Sequence, residues 1–168
     1  VYNIIGTTLT RCILKANKVS VTINKYVDVL NAKYNTKNVV LIPHGTFHSI
    51  KEPNFDLPYG PKKIMAFGKF GTYKKIEILI DAIIEIRKVN QEPIEVVIAG
   101  TDSPNTPGYL QSVKKKYAHV EGITFTGYVE ENDVERIFTE SAIVAFPYTS
   151  TTGSSGVLHQ AGSYGKAV

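Results

Sequence analysis

Hydrophobic positions fall into short β-branched runs that alternate with helical patterns along most of the chain. The apolar run at 63–68 (KIMAFG) precedes a segment at 74–90 whose apolar residues recur at helical spacing. The next run, at 94–100 (IEVVIAG), is apolar almost throughout, which is typical of a strand buried on both faces. Strands that alternate with helices at this pitch predict a parallel sheet joined by right-handed crossovers.

The same alternation continues through the second half of the chain. We predict a helix over 107–120, a strand over 123–127, a helix over 131–141 and a strand over 142–148. Together these elements predict an α/β fold, a Rossmann-like parallel sheet with helices on both faces.

The end of the chain fits one further helix and the opening of a strand. Ser154 or Ser155 is placed to cap a helix that runs to about Tyr164, and Gly165 is a typical helix terminator. The residues after Gly165 open another apolar run. Because the chain stops there and begins with Val1 rather than Met, we expect a truncated piece of a longer protein.

The first part of the chain follows a shorter version of the same pattern. We predict a helix over 4–17, a strand over 18–24, a helix over 25–34 and a strand over 38–43. Residues 46–62, which contain three prolines, are expected to form an irregular connector.

Composition and charge leave several kinds of ligand open. With 43% hydrophobic and 20% charged residues, the chain has the composition of a globular domain. Its net charge of +4 suits a polyanion, a phosphorylated small molecule or an acidic membrane surface, and does not choose among them. The lysines are dispersed and not interleaved with aromatic residues, so we expect no nucleic-acid partner.

Cysteine usage and hydropathy narrow the class of protein. The single cysteine, Cys12, excludes a disulfide within the chain and favours a reducing compartment, and no His/Cys cluster offers a zinc site. The sequence contains neither a signal peptide nor an apolar run long enough to span a bilayer. We therefore expect a cytoplasmic protein, with contact to a membrane surface as an open alternative.

Three turns lie where a parallel sheet binds its ligands, beyond the carboxyl ends of strands. In the first, at 68–75 (GKFGTYKK), Gly68 lets a ligand approach the backbone while Lys69 and Lys74 are placed to neutralise a diphosphate. The alternative is a tight turn with solvated lysines. The turn matches neither the P-loop pattern nor the Gly-x-Gly-x-x-Gly pattern.

Each of the other two turns can be interpreted either as a ligand-binding segment or as an ordinary connection. The segment 152–156 (TGSSG) supplies hydroxyl and N–H groups for sugar and phosphate oxygens, unless it is a Ser/Gly-rich linker. In the third turn, Tyr128 and Val129 follow a strand and are placed to offer backbone groups to a base ring, although an ordinary turn explains them as well. Asp102 after the second strand suits either a ribose or a helix cap, and His44 is more often structural than catalytic.

Taken in chain order, six segments resemble the C-terminal half of GT-B glycosyltransferases, specifically the large retaining family 4, also called group 1. The resemblance runs from about residue 15 to the end of the chain. Its segments are ANKVSVTIN, IPHG, GKFGTYKK, IAG, ITFTGYV and SAIVAFPY. Family members bind the donor diphosphate with the Arg and Lys of a GR…KG turn, and here Lys69 and Lys74 stand in those two places.

The resemblance also assigns the final loop. Family members carry two Glu separated by seven residues, the first at the transferred sugar and the second at the nucleotide ribose. Thr152 and Gln160 fall on those positions, so neither carboxylate is present. Gln160 is assigned to the ribose through its carbonyl oxygen. The loop assigned to the sugar and phosphate consists of Thr152, Gly153, Ser154, Ser155 and Gly156.

The resemblance implies a function and a domain organisation. Residues 1–45 are expected to link from an absent acceptor domain, 46–62 to connect, and 63–168 to form a nucleotide-sugar-binding domain incomplete at its C-terminus. The activity implied is a hexosyl transfer with retention from a nucleotide-diphosphate sugar to a saccharide or lipid-linked acceptor, and the fragment alone is expected to be inactive. No cofactor or metal is implied, because basic side chains and helix N-termini carry the phosphate charge.

Two other functions remain open at this point. The loss of both family carboxylates at Thr152 and Gln160 fits a non-catalytic nucleotide-sugar-binding domain. Sugar-nucleotide epimerases share the GT-B fold and are the third option.

Overall fold

The chain forms two compact units in the computed structural model. The residues described are 2–45, 52–150, 153 and 155–168. The first unit contains residues 1–45 and 152–155, and the second contains residues 46–151 and 156–168.

The first unit is a small α/β arrangement. Its elements are α1 (Tyr2–Ile13), β1 (Val19–Val21), α2 (Asn24–Tyr34) and β2 (Val39–Leu41). The two strands are parallel, with Val19 opposite Val39. The order predicted from the sequence is confirmed, although both strands are shorter than the apolar runs that predicted them.

The second unit contains the main sheet. Its elements are β3 (Lys62–Phe70), α3 (Ile76–Val89), β4 (Ile94–Asp102), α4 (Tyr109–Lys116), β5 (Ile123–Gly127), α5 (Glu131–Thr139), β6 (Ile143–Val144) and α6 (Gly156–Ser163). The strand order is β5-β4-β3-β6, and all of these pairs are parallel. The strand predicted over 142–148 is wrong in length, because β6 has only two residues.

Both faces of this sheet are covered by helices. Side chains alternate along β3, so Ala66 packs with residues of α3 and α4 whereas its neighbour Met65 packs with residues of α5 and α6. Ile98 and Ala99 of β4 divide in the same way. Burial on both sides explains why these strands are apolar almost throughout, and the predicted fold class is confirmed.

The end of α6 follows the prediction made for Gly165. Gly165 adopts a φ of 69°, and its N–H donates to the Gly162 carbonyl at 3.0 Å. The Lys166 N–H donates to the Ala161 carbonyl at 2.9 Å, which completes a Schellman motif. Ala167 then pairs with β6 in parallel, so the last apolar run lies beside the sheet as predicted.

The strand order creates one place where the chain reverses direction across the sheet. From β3 the chain moves outward through β4 to β5, and then returns to the opposite side of β3 to form β6. Connections on the two sides of β3 therefore diverge, and we call the region beyond the carboxyl ends of β3 and β6, where open parallel sheets bind their ligands, the crevice. No helix in the described ranges is long and apolar enough to cross a membrane.

Candidate functional site

Gly68 and Lys74 meet at the carboxyl end of β3, the central strand beside the crevice. Gly68 has a φ of 125°, and a Cβ built on it would lie 2.8 Å from the Lys74 ammonium nitrogen. The absence of a side chain at Gly68 therefore makes room for this ammonium group. Lys69 follows directly, and its side chain is exposed at the end of the strand.

A second glycine, Gly100, allows the backbones of β3 and β4 to approach closely at this edge of the sheet. Gly100 lies opposite Gly68 in the register between β3 and β4. Its φ is 140°, and a Cβ built there would overlap the Gly68 carbonyl oxygen. Because a side chain at Gly100 would meet the backbone of β3, the neighbouring strand explains this glycine.

The turn between β3 and α3, residues 71–75, rests on the loop that follows β4. Gly71 lies directly against Thr106, in a backbone conformation with a φ of 106°. The Thr106 hydroxyl donates a hydrogen bond to the Phe70 carbonyl at 3.1 Å, and the Ser103 N–H donates to the same oxygen at 2.8 Å. These contacts fix the point at which the chain leaves β3.

Tyr109 caps α3 although it belongs to α4. Its hydroxyl accepts a hydrogen bond from the Ile76 N–H at 2.9 Å and donates one to the Glu77 carboxylate. Burial and the bond to Glu77 raise the pKa of the Tyr109 hydroxyl above its ordinary value. One of the unpaired N–H groups at the start of α3 is thereby satisfied by a side chain from another helix.

The segment after β6 holds the other side of the same turn. The Lys75 N–H donates to the Pro147 carbonyl at 2.8 Å. The Thr149 N–H donates to the Tyr73 carbonyl, also at 2.8 Å. These two bonds lie on either side of an antiparallel bridge between Lys74 and Tyr148. The turn is therefore held by the loop after β4 on one side and by the segment after β6 on the other.

An aromatic cluster lies at this bridge. The Lys74 ammonium nitrogen is 5.0 Å from the centre of the Tyr148 ring. Tyr73 and Phe146 contact that ring edge-on, with ring centres 5.3 Å and 5.4 Å away. The crevice therefore contains a lysine ammonium between a glycine backbone and an aromatic face.

Tyr128 and Val129 lie in a more open place, the turn at residues 128–130 between β5 and α5. Tyr128 is 72% exposed, whereas Val129 packs partly against the core shared by α5 and α6. Gly127 before them has a φ of 71°, and a Cβ built on it would meet no neighbouring atom within 4 Å. This turn is at the predicted edge of the sheet, separated from β3 by β4.

The predicted sugar and phosphate loop is described only in part. Thr152 and Ser154 lie outside the described residues, and Gly153 and Ser155 belong to the first unit. Gly156 begins α6, in which Gln160 is half-buried. Because the chain after α6 returns parallel to β6, this helix begins at the carboxyl edge of the sheet.

Asp102 caps a helix, which is one of its two predicted roles. Its carboxylate accepts hydrogen bonds from the Gly108 N–H at 2.7 Å and the Leu110 N–H at 2.8 Å. The helix predicted from residue 107 therefore begins at Tyr109, after Gly108 with a φ of 82°.

His44 belongs to the first unit, where its Nδ1 lies 2.7 Å from the Gly45 carbonyl oxygen.

Sequence reasoning missed Thr106, Tyr109 and Tyr148. The first two contact a turn more than thirty positions earlier in the chain, as shown by the 33-position separation of Tyr109 and Ile76. No pattern in the neighbouring sequence indicates that these residues contact the turn.

Within the described part of the chain, no group of three or more His, Cys, Asp or Glu side chains is arranged to hold a metal ion.

Comparison with solved structures shows chains of the same fold. HepE of Anabaena in complex with UDP-glucose has a TM-score of 0.67 and 14% identity over 90% of this chain. A mutant of S. aureus TarM, in complex with fondaparinux, α-GlcNAc-glycerol and UDP, has a TM-score of 0.63 and 14% identity over 83%. Sucrose-phosphate synthase from Thermosynechococcus elongatus has a TM-score of 0.64 and 18% identity over 86%.

The matched regions are parts of longer chains. They make up 43% of HepE, 27% of the TarM mutant and 38% of the sucrose-phosphate synthase. At these identities the likeness establishes the fold, which is that of one half of a GT-B glycosyltransferase. A search of curated proteins by sequence finds no match.

The sequence also matches a family model over residues 61–168, which includes β3 to α6 and nearly two thirds of the chain. The family is described as glycosyl transferases group 1. The resemblance predicted from the six short segments is confirmed, and the chain belongs to the group 1 glycosyltransferases.

Proposed function

We propose that this chain binds the donor of a retaining glycosyltransferase, a nucleotide-diphosphate sugar, with the diphosphate in the crevice between β3 and β6. The observation that supports the proposal most directly is the Lys74 ammonium, which lies over Gly68 at the point where the sheet connections diverge. Ligands of open parallel sheets bind at such a point.

The chemistry of the transfer explains why lysines are useful there. When the bond between the anomeric carbon and the diphosphate oxygen breaks, negative charge develops on the leaving diphosphate. An ammonium group fixed near that oxygen stabilises the charge as it forms. We assign this role to Lys74, with Lys69 as the second cation beside Gly68.

The remaining donor contacts are assigned from the sequence pattern and their positions. Gln160 is proposed to bind the ribose, and Tyr128 with Val129 the base. Gly156, at the start of α6, is proposed to offer its N–H to phosphate, as helix N-termini do. The role of Thr152, Gly153, Ser154 and Ser155 at the sugar stays a prediction from the sequence.

Relatives of the same fold indicate which nucleotides to test first. HepE is described with UDP-glucose, and the TarM mutant with UDP. We propose a nucleoside diphosphate sugar of this kind as donor, and a saccharide or lipid-linked molecule as acceptor.

Isothermal titration calorimetry of the chain with UDP, GDP, ADP and their sugars tests the proposal. We expect Lys74→Ala and Lys69→Ala each to weaken binding of the preferred nucleoside diphosphate by about 1–3 kcal/mol. Binding should weaken with added salt. Lys88→Ala is the matched control, because Lys88 is exposed on α3 and pairs with Glu85 at 2.6 Å.

Unchanged affinity in both variants would remove the diphosphate assignment, and no binding of any nucleotide would remove the donor role. Gln160→Ala should lower the affinity for the diphosphate and for its sugar alike, since the ribose is common to both. Retention is tested separately by NMR of the product, whose anomeric configuration should be that of the donor. An inverted product would contradict it.

A further inference from the structure

The position of the Lys74 ammonium depends on a ring as well as on a glycine. Its nitrogen is 5.0 Å from the centre of the Tyr148 ring and 2.8 Å from the place that a Cβ on Gly68 would occupy. A lysine side chain on the surface samples many rotamers. Here the amino group is held on the side of the turn that faces the end of β3.

Tyr148 is itself fixed by its surroundings. Tyr73 and Phe146 pack edge-on against its ring. Its backbone forms an antiparallel bridge with Lys74, flanked by the bonds from Lys75 to Pro147 and from Thr149 to Tyr73. Backbone pairing and ring packing therefore place the aromatic face opposite the lysine.

An aromatic face differs from a carboxylate in how it holds a cation. The ring quadrupole attracts the ammonium group without neutralising its charge. A carboxylate in the same place would compete with a diphosphate for the lysine. The described residues give Lys74 no ion pair with an acidic side chain, so its charge stays available to a ligand.

We propose that Tyr148 is a positioning residue, whose ring holds the Lys74 ammonium over Gly68 so that the group is in place before the donor diphosphate arrives. The inference rests on the proposed function, because it requires that Lys74 bind the diphosphate. Positioning of this kind lowers the entropy lost on binding and so raises affinity.

Titration of Tyr148→Leu and Tyr148→Phe with the best-bound of UDP, GDP and ADP tests the proposal. The leucine variant loses the aromatic face, and we expect its affinity to fall about three- to tenfold. The phenylalanine variant keeps the face and should keep the affinity. Tyr59→Leu is the matched control, because Tyr59 is fully exposed and has no part in the crevice.

A double-mutant cycle with Lys74→Ala separates positioning from a general loss of structure. If Tyr148 acts through Lys74, Tyr148→Leu should have no further effect once Lys74 is alanine. An equal loss in both backgrounds would overturn the positioning role. So would full affinity in Tyr148→Leu while Lys74→Ala is weakened, and that result would leave the diphosphate assignment intact.

Failure of the proposed function itself gives a different result. If Lys74→Ala binds every nucleoside diphosphate normally, the diphosphate assignment is wrong and this inference falls with it. NMR of the unaltered chain tests the contact between Lys74 and Tyr148 without any substitution that could disturb the fold. The ε-methylene protons of Lys74 should be shifted upfield by the Tyr148 ring current, and an unshifted signal would overturn the contact.

Discussion

Two turns at the carboxyl edge of the sheet each follow a parallel strand and include or adjoin a glycine, yet their surroundings differ. The turn at residues 71–75 is held on one side by the loop after β4 and on the other by the segment after β6. The turn at residues 128–130 follows a glycine with open space around it and exposes Tyr128.

The difference shows what each turn is suited to do. A turn with fixed neighbours can hold a charged group in one place before a ligand arrives, which is how preorganised sites stabilise charge. An open turn offers its backbone without fixing it. We proposed the first turn for the diphosphate and the second for the base, and the contrast between them can be tested at matched positions.

The largest difference is expected between Gly100→Ala and Gly127→Ala. A methyl group at Gly100 would meet the Gly68 carbonyl oxygen, so the strands must separate. We expect a loss of about 3–5 kcal/mol in the free energy of unfolding. At Gly127 only the positive φ opposes alanine, at a cost of about 1–2 kcal/mol. Urea denaturation measures both, and equal losses would contradict the contrast.

A smaller difference is expected between two tyrosines. Tyr109→Phe leaves the Ile76 N–H without its acceptor, which should cost about 1–3 kcal/mol of unfolding free energy. Tyr128→Phe alters an exposed ring and should change stability by less than about 0.5 kcal/mol. Thermal denaturation of the two variants compares them directly. If Tyr128→Phe were the more damaging, the open turn would have a structural role that its exposure does not suggest.

Two threonines extend the comparison to single hydroxyl groups. Thr106→Val removes the half-buried bond to the Phe70 carbonyl, for an expected loss of about 1 kcal/mol. Thr126→Val removes an exposed bond of 2.8 Å to the Gly127 carbonyl, for which we expect less than about 0.5 kcal/mol. Chemical denaturation of the two variants side by side measures this difference. Valine conserves the side-chain volume at both sites, so the comparison isolates the hydroxyl groups. A larger loss at Thr126 would reverse the assignment.

The smallest effect is a dependence of stability on alkaline pH. The folded chain has a raised pKa at Tyr109, so its contribution to stability is complete below the unfolded value of about 10 and declines as the pH rises above it. Tyr117, whose pKa is raised by burial and by its bond to Asp81, adds a decline of the same sign. Solvent around Tyr109 reduces the size of the effect.

Unfolding measured from pH 9 to 11 should therefore show a shallower decline in Tyr109→Phe than in the unaltered chain. The decline should not vanish, because Tyr117 remains. Identical pH profiles for the two proteins would mean that the Tyr109 hydroxyl is not held in its protonated form by the fold.

Much of the fold follows from local patterns in the sequence, and its departures have local physical causes. The strand predicted over 142–148 ends at Val144, and Pro147, which cannot donate to a sheet ladder, directly precedes Tyr148, which pairs instead with the turn at 71–75. The helix predicted from residue 107 starts later because Gly108 adopts a positive φ and Asp102 caps the following N–H groups.

The candidate site was predictable in part. The apolar run at 63–68 predicts a strand, so the positions of Gly68 and Lys69 at its end and of Lys74 in the turn after it follow from the sequence. Their environment was not. Thr149 and Tyr73, which join the two sides of the crevice, are 76 positions apart, and nothing near either one indicates the other.

The sequence by itself determined the alternation of strands and helices, the lysines at the end of β3 and the glycine that ends α6. These depend on side-chain period and backbone conformation, which are properties of neighbouring residues. Only the tertiary structure decided the strand order that brings Tyr148 to Lys74 and Tyr109 to Ile76. Pairing between distant strands is selected by the burial that the whole chain achieves, and the cost of closing the loops between them depends only weakly on their length.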